Sequence, residues 1–94
     1  VSAGFDAHHA DPLGNLALVS STYYECITRL RAVQPRIAAI LEGGYDLGAM
    51  ATCAAATAAA LAGAPDPAPE DAIQGRRPWR ELEARLRTVH AWLP

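Results

Sequence analysis

Two side chains in this 94-residue chain stand where chemistry is usually done in an α/β protein. Asp6 directly follows an apolar stretch, VSAGF, and Tyr45 follows a second apolar stretch, IAAIL, after a Glu-Gly-Gly turn. In open α/β sheets, ligands bind beyond the carboxyl ends of the strands. If the two stretches are neighbouring strands, a carboxylate and a phenol reach the same edge of one sheet. A carboxylate there suits a metal ion, and a phenol suits a developing oxyanion. On type and spacing alone the pair stays ambiguous, because an Asp after a strand commonly caps its own loop.

The elements that must position these residues follow from periodicity. Residues 1–5 read as the end of a buried strand and residues 6–18 as a loop rich in Gly, Asp, His and Pro. Tyr23, Cys26, Ile27, Leu30 and Val33 then recur at helical spacing, with Glu25 and Arg29 paired four apart. Ser20 or Ser21 suits the helix N-cap and Pro35 its end. Residues 37–41 form a second strand, and Asp46 caps a second helix whose stripe is Leu47, Met50, Ala54, Ala58 and Leu61. Residues 63–75 (GAPDPAPEDAIQG) are an extended surface connector. From Pro78 a last amphipathic helix is expected, with Trp79, Leu82, Leu86 and Val89 on one face and the pairs Glu81–Arg85 and Glu83–Arg87 on the other. The organisation is thus residues 1–62, a connector at 63–75 and a helix of the same domain at 76–94.

Strand, helix, strand, helix in this order predicts an α/β fold with parallel strands. Both strand candidates are apolar throughout, as strands buried on both faces are. A two-stranded parallel sheet leaves its edges uncovered, and the first strand starts at residue 1 without a Met. The expectation is a fragment of a larger sheet.

The two loops carry more than spacing. Gly4-Phe5-Asp6-Ala7-His8 followed by Asp11-Pro12-Leu13-Gly14, and Leu41-Glu42-Gly43-Gly44-Tyr45, resemble in wording, order and separation two loops of the histone deacetylase family, in the form of its class II and bacterial members. The resemblance is strong from Val1 to about Leu61 and looser to the Leu86-Arg87-Thr88-Val89-His90 tail. It implies the C-terminal part of an arginase/deacetylase-type parallel sheet with flanking helices, and zinc-dependent hydrolysis of acetyl-lysine or an acetylated polyamine-type amide. By the same resemblance Asp6 is a zinc ligand and Tyr45 the hydrogen-bond donor to the substrate carbonyl. Leu13 is a wall of the acyl tunnel, and Gly43 and Gly44 are glycines whose backbone lines it. Val19 stands where the family often has a Thr helix cap.

The family's other two zinc ligands come from an Asp-x-His motif and its general base from a His-His pair, both upstream of the position Asp6 matches, and neither is found at such a position in these 94 residues. His8-His9 follows the zinc-ligand position instead of preceding it. One carboxylate does not hold a catalytic zinc, so the chain is expected to be inactive alone and to need the missing N-terminal part of the domain as partner. The alternative is a non-catalytic remnant or interaction module. A third reading, a phosphate loop at the Gly-Gly turn, is disfavoured by Glu42 and the absence of any Lys.

The remaining positions take plainer roles. His8 and His9 face solvent or the mouth of the site, and Asp11 holds its loop through backbone amides. Cys26 and Cys53 are packed thiols without a disulfide framework, which with no secretory signal suits a cytoplasmic protein. Tyr23 packs and Tyr24 lies on the surface, and Trp79 and Trp92 dock the last helix. A net charge of −2 with the Arg residues among acidic partners argues against nucleic acid. The uncharged run 47–64 is Ala- and Thr-rich and suits a buried helix rather than a membrane span.

Overall fold

The computed structural model describes residues 1–73 together with 84, 85, 87 and 88. Its elements are β1 (Ser2–Ala3), α1 (Ser20–Val33), β2 (Ile40–Leu41) and α2 (Leu47–Ala62). The strands pair in parallel, Ser2 opposite Ile40 and Ala3 opposite Leu41, so the predicted βαβα order is observed. Each strand is shorter than expected, at two residues. Backbone pairing nevertheless runs further: Ile40 N–H donates to Val1 O (2.9 Å), Glu42 N–H to Ala3 O (3.2 Å) and Phe5 N–H to Gly43 O (2.8 Å). That last bond carries the pairing past the strand ends and clamps the two loops that follow them.

Side chains alternate along the first stretch. Ala3 and Phe5 are buried and, with Cys53 of α2, form the core, against which Tyr23, Ala39 and Met50 pack. The Phe5 and Tyr23 rings meet edge-on at 5.1 Å, a favoured aromatic geometry. Burial on both faces of the strands is not observed among the described residues: Ile40 is 69% exposed and Leu41 55%. Two helices and two strands do not supply a second cover for an apolar sheet.

The helices correct the expected faces. α2 buries Ala49, Cys53, Ala56, Thr57 and Ala60, none of them on the expected stripe, of which Met50 packs against the core. Leu47 is exposed, whereas Ala54, Ala58 and Leu61 line a groove of about 200 Å³ facing Ala3, Phe5, Ala39 and Leu41. A nearly all-apolar helix has no single oily side, and its smallest residues go where close packing is needed. On α1, Ile27 is buried and Tyr23 half-buried, whereas Cys26, Leu30 and Val33 are exposed.

Neither Ser20 nor Ser21 is the N-cap of α1. Val19 occupies that position and makes no side-chain cap bond, and Ser20 is the first helical residue. The orphan N–H of Ser20 is satisfied by Glu70 Oε2 at 2.9 Å, fifty positions away. The other ends follow expectation: Gln34 closes α1 just before Pro35, and the Asp46 carboxylate accepts Ala49 N–H at 2.7 Å. α2 ends at Gly63, whose φ of 73° is the left-handed conformation that helix C-termini favour. Arg31 of α1 donates to Ala60 O at 2.8 Å, placing a cation at the negative end of α2.

The described part of the connector, residues 63–73, is mostly exposed as expected, and it is also tied to α1. Tyr24 Oη donates to Ala64 O (2.7 Å), Ser21 Oγ to Asp66 Oδ2 (2.7 Å) and Glu70 N–H to Ser21 Oγ (2.8 Å). Residues 84, 85, 87 and 88 are helical, and Thr88 Oγ1 donates to Ala84 O at 2.9 Å. The other positions of the expected last helix, Trp79 and Trp92 among them, lie outside the described residues. No helix among the described residues is long and apolar enough to cross a membrane.

Candidate functional site

Pairing of β1 with β2 carries the two loops to one end of the strands. Asp6 begins the first turn, closed by His8 N–H donating to Phe5 O at 3.1 Å. Its carboxylate leans back over the second loop: a Cβ added at Gly43 would sit 3.4 Å from both Asp6 Cγ and Asp6 Oδ1. Asp6 and Gly43 therefore lie side by side, as the neighbouring-strand reading requires. Asp6, Leu13 (73% exposed) and Tyr45 (60% exposed) all open to solvent. Neither the Asp6 carboxylate nor the Tyr45 hydroxyl hydrogen-bonds within the described residues, so both polar groups are available to a ligand.

Asp11 joins the loops. Its Oδ1 accepts Leu13 N–H (2.8 Å) and Gly14 N–H (2.9 Å), and its Oδ2 accepts Tyr45 N–H (2.7 Å). The expected role of holding its own loop is met, and the structure extends it: one buried carboxylate fixes Leu13 and Tyr45 together. Burial alone would push this carboxyl up. The backbone N–H groups of Tyr45, Gly14, Leu13 and Asp46 outweigh it and hold Asp11 below the ordinary carboxylate value.

Glycines make the close approaches possible. At Gly14 a Cβ would fall 1.7 Å from the Asp6 carbonyl oxygen, which no side chain tolerates. Gly44 has φ 126°, and a Cβ there would lie 3.1 Å from Phe5 Cβ. Gly43 meets only ordinary contacts, so it is not sterically required by the described residues. Gly14 belongs to the loop stretch that carries the family resemblance, but no role follows for it from the sequence alone.

His8 corrects the solvent-facing expectation, being 4% exposed. Its Nδ1 accepts Ala10 N–H at 3.1 Å, which leaves the proton on Nε2, directed at Glu70 Oε2 3.7 Å away. Glu70 is held below its ordinary value by the Ser20 N–H and Ser20 hydroxyl, against burial and with help from His8. His9 is exposed, as expected. Elsewhere, burial raises the Tyr23 phenol to about 12 and the Cys53 thiol to about 11, so both are neutral packing groups. Cys26 is exposed rather than packed.

For a metal, Asp6 is an accessible carboxylate that suits one corner of a site. The described residues place no three-donor group around it. They do bring ligand-type atoms of His8, His9 and Glu70 within 4.8 Å of one another. A protonated Nε2 is a donor and not a ligand, so the hydrogen bonding of His8 argues against metal at that group.

Comparison with known proteins agrees with the loop wording. The family model described as the histone deacetylase domain matches residues 1–61. The chain is 41% identical over 66 residues to type-2 histone deacetylase 1 of Dictyostelium discoideum, covering 65% of this chain and 4% of that protein. It is 39% identical over 70 residues to histone deacetylase 10, chloroplastic, of Oryza sativa subsp. japonica, covering 69% and 16%. It is 39% identical over 69 residues to a probable deacetylase of Archaeoglobus fulgidus, covering 67% and 19%. The chain thus spans less than a fifth of each of these relatives.

Proposed function

This chain belongs to the histone deacetylase family, and on that premise we propose that it supplies one edge of the active site of a zinc-dependent deacetylase acting on acetyl-lysine or an acetylated polyamine-type amide. The observation that carries this reading is the Asp11 bridge, which holds Tyr45 and Leu13 in one rigid unit beside Asp6. A loop cap needs no such link to a second loop.

In the proposed reaction, water adds to the acetyl carbonyl, the C–N bond breaks, and acetate and a free amine leave. Asp6 is the one residue of this chain that would hold the zinc, whose chemistry is to polarise the carbonyl and lower the pKa of the attacking water. Tyr45 donates its phenolic proton in a hydrogen bond to the carbonyl oxygen as negative charge gathers there. Such donors are worth roughly 10²–10³ in rate at comparable sites. Leu13 offers its exposed side chain to the acylated arm of the substrate, and the backbone at Gly43 and Gly44 lines the opposite side. The remaining zinc ligands and the general base are proposed to come from an N-terminal part of the domain, so these 94 residues are proposed to be inactive alone.

The test is Tyr45→Phe and Asp6→Asn in the full-length protein, with zinc content and turnover on acetylated peptide and acetylpolyamine both measured. Tyr45→Phe is expected to lower turnover by roughly 10²-fold with zinc retained. Asp6→Asn is expected to weaken zinc binding. Unchanged turnover in the first variant would sink the Tyr45 assignment. A second reading, a non-catalytic interaction module, draws on the exposed Ile40 and Leu41. It would be favoured if the full-length protein bound neither zinc nor an acetylated amine.

A further inference from the structure

We infer that Glu70 is a positioning residue for the Asp6 turn, acting through His8 from outside the two site loops. The inference rests on the deacetylase reading of Asp6. It begins with a local defect. Val19 has no side-chain acceptor to offer α1, and helix N-termini leave their first N–H groups without partners. Glu70 fills the gap, its Oε2 accepting both the N–H (2.9 Å) and the hydroxyl (2.8 Å) of Ser20.

The same oxygen faces His8. The ring is buried, its Nδ1 is engaged by Ala10 N–H, and its Nε2 has no hydrogen-bond partner. Glu70 Oε2 stands 3.7 Å from that nitrogen, beyond a hydrogen bond but near enough for its charge to act on the Nε2–H dipole. His8 is part of the turn that presents Asp6: its N–H donates to Phe5 O and its carbonyl accepts Asp11 N–H at 2.9 Å. One carboxylate therefore fastens the connector to the start of α1 and, among the described residues, stands as the negative group opposite the His8 Nε2 proton. A plain helix cap accounts for the Ser20 bonds but not for the approach to His8.

The two roles separate experimentally. In the full-length protein, Glu70→Ala removes both, and adding Val19→Thr, which nearly keeps the shape of that buried side chain, returns a capping hydroxyl to α1 without returning a carboxylate to His8. The readouts are melting temperature, zinc affinity and amide hydrogen exchange at residues 7–11. Glu70→Ala is expected to lower the melting temperature, weaken zinc about tenfold, the low end for groups behind a metal ligand, and speed exchange at residues 7–11. The added Val19→Thr is expected to recover part of the melting temperature and neither of the other two. Recovery of all three would make Glu70 a cap only and overturn the inference, as would wild-type exchange in Glu70→Ala. If Glu70→Ala does not fold, Glu70→Gln keeps an oxygen for Ser20 and removes the charge facing His8. It is then expected to speed exchange at residues 7–11 at a near wild-type melting temperature, and unchanged exchange overturns the inference. Histidine nitrogen shifts give an independent signature: a proton on Nε2 of His8 is expected, and one on Nδ1 with zinc at Nε2 would overturn the inference. A wild-type protein that binds no zinc would refute the deacetylase reading, while exchange at residues 7–11 would still decide Glu70.

Discussion

Replacing Gly14 by Ala tests whether the Asp6 turn is built as described. The added methyl would sit 1.7 Å from the Asp6 carbonyl oxygen and 2.9 Å from its carbon. Real contacts of this kind essentially never fall under 3.0 Å, and the obstacle is backbone, which cannot rotate aside. Either residue 14 or the Asp6 peptide must move by more than 1 Å. Overpacking costs about 1–3 kcal/mol, and a backbone clash belongs at the upper end, about 3 kcal/mol. For a domain of about 150–250 residues, that corresponds to a melting temperature lower by roughly 6–12 °C. A displacement near 1 Å at a reacting group also costs about 10²-fold in rate. Thermal melts, zinc titration and turnover of the full-length protein read all three effects. Gly43→Ala is the control, since its Cβ meets Asp6 at an ordinary 3.4 Å; its melt is expected within about 2 °C of wild type. A Gly14→Ala protein with wild-type melting and turnover would refute the turn geometry and the reasoning from it.

Four further outcomes are expected. Asp11→Asn lowers stability at neutral pH and flattens the acid limb of the stability–pH curve. A carboxyl held low in the folded state contributes fully above its unfolded value and loses that contribution as pH falls through the folded one, so denaturant melts from about pH 5 downward show the difference. Gly44→Ala, at φ 126° and 3.1 Å from Phe5 Cβ, destabilises by about 1–3 kcal/mol in the same assay. Phe5→Ala removes a core ring that is 2% exposed and costs about 3–5 kcal/mol. The Cys53 thiol, fully buried and raised to about 11, stays unmodified by maleimide in native protein and reacts on denaturation, as mass spectrometry of the peptides will show.

What was legible in the sequence was what is local. The element order, the Asp46 cap, the Glu25–Arg29 pair, the end of α1 before Pro35 and the amide-binding role of Asp11 all depend on neighbours a few residues away, and all are observed. The family, too, was carried by two short loops and is borne out by the match over residues 1–61. What escaped is tertiary. The cap of α1 comes from Glu70, which no window around Ser20 contains. The buried face of α2 could not be chosen from periodicity, because Ala on every side leaves the pattern flat, and the decision fell to close packing. A histidine in a loop reads as facing solvent or the mouth of the site; the burial of His8 follows from the connector returning across the start of α1. The need for glycine at position 14 arises only once the turn brings it onto the Asp6 carbonyl.

The Asp11 bridge also bears on selectivity. Leu13 and Tyr45 hang from the two oxygens of one carboxylate, so neither loop moves without the other. In the proposed enzyme, an acyl group too wide for the passage beside Leu13 would drag the phenol off its line to the carbonyl. Discrimination among acyl groups would then register in the speed of bond breaking more than in the tightness of binding, with the gatekeeper and the catalyst sharing one hinge pin.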